Sequence, residues 1–142
     1  MLRLFIISIL SAFLLLPSAF IPALPGYEFS FPRDHGSHDE YKTEWWYYTG
    51  HLRTDGGRRY GFEVTFFRVG VVPPDSPPQS RWELRSLALA HFAITDVNGR
   101  RFRYAEKMNR ASPFTASAAS DVLDVFNEGW SATTLPDGSW HV

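Results

Sequence analysis

The sequence predicts an all-β, antiparallel fold, closed as a barrel or open as a half-barrel, on three observations. Twelve Phe, six Tyr and five Trp stand against two Met in 142 residues, and flat rings of this kind pack well across pleated strands. Asp55-Gly56-Gly57, Asn98-Gly99 and Asp137-Gly138 punctuate the chain with the residue pairs that reverse a hairpin. Between these turns run short segments of alternating character, the pattern of an antiparallel sheet, barrel or sandwich.

The elements follow in order. The first 26 residues carry one early Arg3, an apolar run from Leu4 to Leu16, then small residues and prolines, which is the layout of a secretory signal peptide. A leader is expected over residues 1–23 and a mature domain over 24–142, secreted or periplasmic. An uncleaved membrane anchor is the rival, but Pro17, Pro22 and Pro25 break a spanning helix. Cysteine is absent, so the domain holds together by packing, with no disulfide. Strands are predicted near 43–53 and 58–69, the first containing the run TEWWYYTGHL. VPPDSPPQS at 72–80 has four prolines and reads as a surface loop. Further strands are predicted near 86–97, 100–107, 121–127, 129–135 and 138–142, with 111–120 a loop or one helical turn.

Fourteen basic and fifteen acidic residues give a formal net charge of −1, which provides no electrostatic footprint for a polyanion. Nucleic acid is therefore not an expected partner.

A turn centred on Asp55-Gly56 places Trp45 opposite Phe66. One face then carries Trp45, Tyr47, Thr49 and His51 beside Tyr60, Phe62, Val64 and Phe66, and the other carries Glu44, Trp46, Tyr48 and Gly50 beside Gly61, Glu63, Thr65 and Phe67. The first face is expected to be core. The second supplies apolar walls with a few placed polar groups, as a ligand cavity requires; the plainer alternative is that Glu44 and Glu63 point into solvent. A turn at Asn98-Gly99 places His91 opposite Glu106, either as a core histidine satisfied by a carboxylate or as a working acid or base. Before the aromatic run, FPRDHGSHDEYK offers Asp34, His35, His38, Asp39 and Glu40. These are ligand types for a metal, yet two imidazoles beside a glycine make a polar loop at a barrel mouth the simpler expectation, with a loop that folds over and contributes a catalytic group as the third reading; no metal or other cofactor is assigned.

Phe31-Pro32-Arg33-Asp34-His35-Gly36-Ser37-His38, then Glu44-Trp45-Trp46-Tyr47-Tyr48-Thr49-Gly50, GFEVTFFRVG at 61–70, SRWELRSLALAHFAITD at 80–96 and RFRYAEKMNR at 101–110 resemble, in order, the lipocalin-like proteins grouped with carotenoid 1,2-hydratase (hydroxyneurosporene synthase), AttH proteins and predicted secreted hydrolases. The resemblance implies a lipocalin-like β-barrel or half-barrel within a longer chain, so this sequence reads as an amino-terminal portion that pairs with a carboxy-terminal half. It also implies an apolar ligand of isoprenoid or lipid type and, on the AttH side, work beside a membrane ABC transporter.

On the hydratase side it implies addition of water to a carbon–carbon double bond. That step needs an acid kept neutral by burial, a wall that stabilises a cation, and a positioned water. The candidates are Glu44 and Glu63 as acid, His91 as polar partner, and Trp46, Tyr48, Thr65, Phe67 and His35 as ligand contacts. Ester hydrolysis has less support, because no serine lies in a Gly-x-Ser-x-Gly turn. The rival class is a carrier without catalysis, for which aromatic walls suffice.

Overall fold

The structure, a computed structural model, describes residues 20–142. Most of the expected leader, up to residue 19, lies outside the described residues. Among the described residues no helix is long and apolar enough to cross a membrane. A 3-10 turn at Arg33–His35 precedes eight strands: β1 (Thr43–Arg53), β2 (Arg59–Gly70), β3 (Ser86–Asp96), β4 (Arg101–Arg110), β5 (Ala116–Ala118), β6 (Asp124–Asn127), β7 (Trp130–Thr134) and β8 (Trp140–His141). They form two antiparallel four-stranded sheets, β1-β2-β3-β4 and β5-β6-β7-β8. Both sheets are open, as in a half-barrel. The segment 111–120, expected as a loop or one helical turn, contains β5, with an isolated bridge between Ser112 and Ala116.

The first hairpin corrects the expected register. Thr54 N donates to Arg58 O and Gly57 N to Thr54 O, so the loop is three residues long, with Gly57 at φ +78°. This is the three-residue hairpin whose last position is left-handed and favours glycine. The extra residue shifts the pairing by one, placing Trp46 opposite Phe66 and Glu44 opposite Arg68. Because side chains alternate, one step changes which β2 residues share a face with β1. Trp46 and Tyr48 share theirs with Phe66 and Val64, whereas Glu63, Thr65 and Phe67 lie with Trp45 and Tyr47. The second hairpin has the expected register, His91 opposite Glu106.

The core lies between the sheets. Phe66 and Ala90 from the large sheet meet Leu123, Val125 and Ala132, with Trp46, Tyr48, Val64 and Trp130 packed around them. The face expected to be core divides: its β2 members Phe66 and Val64 are in the core, whereas its β1 members lie on the outer face, where Trp45, Tyr47, Phe102, Tyr104 and Met108 are all more than half exposed. Thr65 is the exception, buried on that face beneath its larger neighbours.

Candidate functional site

The loop before β1 is pinned to both sheets. Gly36 approaches the backbone of 119–121 so closely that a Cβ would sit 2.5 Å from Ser120 C, and Ser37 N donates to Ala119 O at 2.7 Å. Only glycine permits this contact, which carries the 3-10 turn under the start of the aromatic strand. Trp46 Nε1, pointing to the inner face, donates to His35 O at 2.9 Å.

This folding brings His38 between two carboxylates. Its Nδ1 lies 2.6 Å from Glu44 Oε1, and its backbone N donates to Glu44 Oε2 at 2.9 Å and Oε1 at 3.1 Å. Its Nε2 lies 3.2 Å from Asp34 Oδ1 and 3.3 Å from Tyr27 Oη. Asp34 in turn accepts from Arg33 Nη1 at 2.6 Å and Ser30 N at 2.7 Å. The Arg33 guanidinium first, and then the Ser30 amide, hold the Asp34 carboxyl well below the usual carboxylate range. Burial presses the His38 imidazole towards neutrality, but its hydrogen bonds to Glu44 and Asp34 outweigh that and raise its pKa. The cluster is thus a histidine clamped by carboxylates on both sides, an arrangement that favours its protonated form. Arg68, directly across the strands from Glu44, ties down the same loop: Nη2 donates to His38 O at 2.7 Å and Tyr41 O at 2.8 Å.

Beside this cluster opens a cleft of about 500 Å3. Leu24, Tyr27 and Phe29 line it on the amino-terminal side, Trp45 and Trp46 line it from the two opposite faces of the edge strand β1, and His38, Asp34 and Glu44 supply a polar patch. The lining is mainly apolar, and its ionisable groups Asp34, His38 and Glu44 are hydrogen-bonded to one another.

The sequence-predicted residues divide between the two faces of the large sheet. Glu44, Trp46 and His35 meet at the cleft, His35 with its ring stacked on Phe31 at 4.3 Å. Tyr48 belongs to the core rim, its ring 6.4 Å from Trp140, and burial pushes its hydroxyl up to about 12. Glu63 is on the opposite face from Trp46, where its Oε1 accepts from Thr65 Oγ1 at 2.7 Å. Phe67 and His91 are there too, ring centroids 5.1 Å apart, with His91 Nε2 3.9 Å from Glu106 Oε1 in an exposed pair. Glu44, Glu63 and His91 therefore do not converge. Tyr27 and Arg68 carry no signal in the sequence reading, and Asp34 and His38 enter it only as members of the polar loop. The readable signal was parity: Glu44 shares the inner face with Trp46 and needs a cationic partner there, and Arg68 and His38 are the ones supplied.

Two stacked antiparallel sheets, with a loop folded over an aromatic cleft at one end, define a lipocalin-like β protein. The AttH-like family profile matches residues 22–142, and the chain belongs to the AttH-like family. A crystal structure of an AttH-assigned protein from Nitrosomonas europaea is similar, with a TM-score of 0.69 and 31% identity over 85% of this chain and 35% of that one. The chain thus spans about a third of that relative's length. No curated protein matches the chain.

Proposed function

We propose that the protein binds a small apolar ligand of isoprenoid or lipid type in the cleft between its amino-terminal segment and β1, and that it does so outside the cytoplasm as a binding protein. The observation that carries this reading is the cleft itself. About 500 Å3 of space walled by Leu24, Phe29, Trp45 and Trp46 lies within the ~300–1,000 Å3 range of small-molecule sites, which are mostly apolar with a few polar groups. The leader-like start of the sequence supports export. Cleavage near residue 24 would leave Tyr27 and Phe29, most of the amino-terminal wall, in place.

Water addition to a carbon–carbon double bond is the second reading, favoured by the presence of Glu44 at the cleft. An acid that protonates an alkene needs an oxygen free to reach it, and both Glu44 oxygens are engaged by His38. His38 has both ring nitrogens committed as well, so it serves as a clamp. Binding without turnover is the better account of this geometry. Incubation with an acyclic polyene, gel filtration and extraction test it. The polyene is expected to co-elute with the protein and return with unchanged mass; failure to co-elute, or a mass gain of one water, contradicts the reading.

A further inference from the structure

The core holds a second cavity, of about 250 Å3, between the inner face of β1–β3 and the strands β5 and β6. Trp46, Phe66, Ala88, Ala116 and Val125 give it apolar walls. Its polar lining is unequal. Asn127 is fully used: Oδ1 accepts from Asn109 Nδ2 at 2.7 Å and Nδ2 donates to Ala88 O at 3.2 Å. Arg68 is different, because its buried Nε makes no hydrogen bond. A buried donor without an acceptor is costly, and one on a guanidinium is aimed naturally at an anion. A smaller cavity of about 90 Å3 adjoins, and Asp39, Arg68 and Ser86 line both.

We propose that this inter-sheet cavity is a binding site for a short-chain alkyl carboxylate, with the tail between the sheets and the carboxylate on Arg68 Nε. Two acidic side chains already stand near that atom, and neither satisfies it. Asp39 Oδ1 is 3.3 Å away, but its side chain is 62% exposed, so water competes for it and the attraction is screened. Glu44 Oε2 is 3.5 Å away and accepts from His38 N. A ligand carboxylate entering from the cavity displaces Asp39 into solvent and keeps the local charge unchanged, one anion for another. A dianionic phosphate would add charge beside Glu44, and a neutral alcohol would leave the guanidinium bond weak. The volume, below the ~300–1,000 Å3 typical of drug-sized sites, selects a short chain. This site is separate from the cleft, although Trp46 lines both.

Calorimetric titration of the intact chain with octanoate, octanol and acetate tests the proposal. Octanoate is expected to bind saturably at one site and at least tenfold more tightly than octanol, which lacks the charge, or acetate, which lacks the tail. Asp39→Asn removes the internal competitor and should tighten octanoate binding severalfold; Arg68→Gln should weaken it at least tenfold. Because Arg68 also holds the loop, its variant is checked by circular dichroism, and Asp39→Asn decides the matter alone if Arg68→Gln fails to fold. Leu24→Asp, a cleft substitution, should leave octanoate affinity within twofold. Octanol binding as tightly as octanoate, no change or a weakening in Asp39→Asn, or loss of octanoate binding in Leu24→Asp would each overturn it.

Discussion

The surroundings of His38 favour its protonated form: burial works against the charge, but hydrogen bonds to the Glu44 and Asp34 carboxylates outweigh it. The pH dependence follows from the two shifts in the cluster. Asp34 is depressed from its ordinary 3.8, so its contribution to stability is complete above that value and is lost as pH falls below it. His38 is raised from its ordinary 6.5, so its contribution is complete below 6.5 and is lost as pH rises through the higher folded value. Between 3.8 and 6.5 both are in force. His38→Gln is therefore expected to lower the thermal midpoint within that window and to flatten the decline that the native protein shows above it. A mutant curve parallel to the native one on the alkaline side, measured by circular dichroism, would remove His38 as the titrating clamp. None of this was legible from spacing. Asp34, His38 and Glu44 look like members of a polar stretch until the Gly36 contact with 119–121 folds the loop back over the strand.

Strands and turns show where sequence reasoning succeeds and where a single residue undoes it. Aromatic alternation marks β1 to β4 nearly to their ends, and a turn built on Asn98-Gly99 fixes the β3–β4 register. Asp55-Gly56-Gly57 holds two glycines, and its pattern is compatible with a two- or a three-residue loop. The choice rests on which glycine takes the left-handed conformation, and the answer, Gly57, exchanges the faces of β2 relative to β1. That is why Glu63, Thr65 and Phe67, expected beside Trp46 and Tyr48, lie across the sheet from them. The short β5 was hidden in a small-residue segment without alternation. The turn geometry makes a sharp comparison: Gly57→Ala should cost about 1–2 kcal/mol, the penalty for a Cβ in the left-handed region. Gly56→Ala should cost less, because its φ is not positive and its Cβ would meet nothing closer than Thr54 Oγ1 at 3.9 Å. Denaturant unfolding of the two variants measures the difference, and equal losses would refute the three-residue turn.

On the scale of the whole molecule, two open sheets enclose a modest core and leave space at their margins. The amino-terminal segment turns part of that margin into the cleft, by laying Leu24, Tyr27 and Phe29 beside Trp45 and Trp46. The half-barrel was legible in the sequence because ring content and alternation are local properties. The position of the cleft was not, because one of its walls comes from residues that carry no periodic signal. The large sheet retains an outer face of exposed rings.

Quenching of tryptophan fluorescence by a titrated acyclic polyene tests the cleft most directly, since Trp45 and Trp46 line it. The native chain is expected to show saturable quenching at one site, and Leu24→Asp, which sets a charge against the apolar wall without touching the core, to weaken it tenfold or more. Equal affinity in the two proteins, or no saturable quenching in the native one, would contradict the assignment.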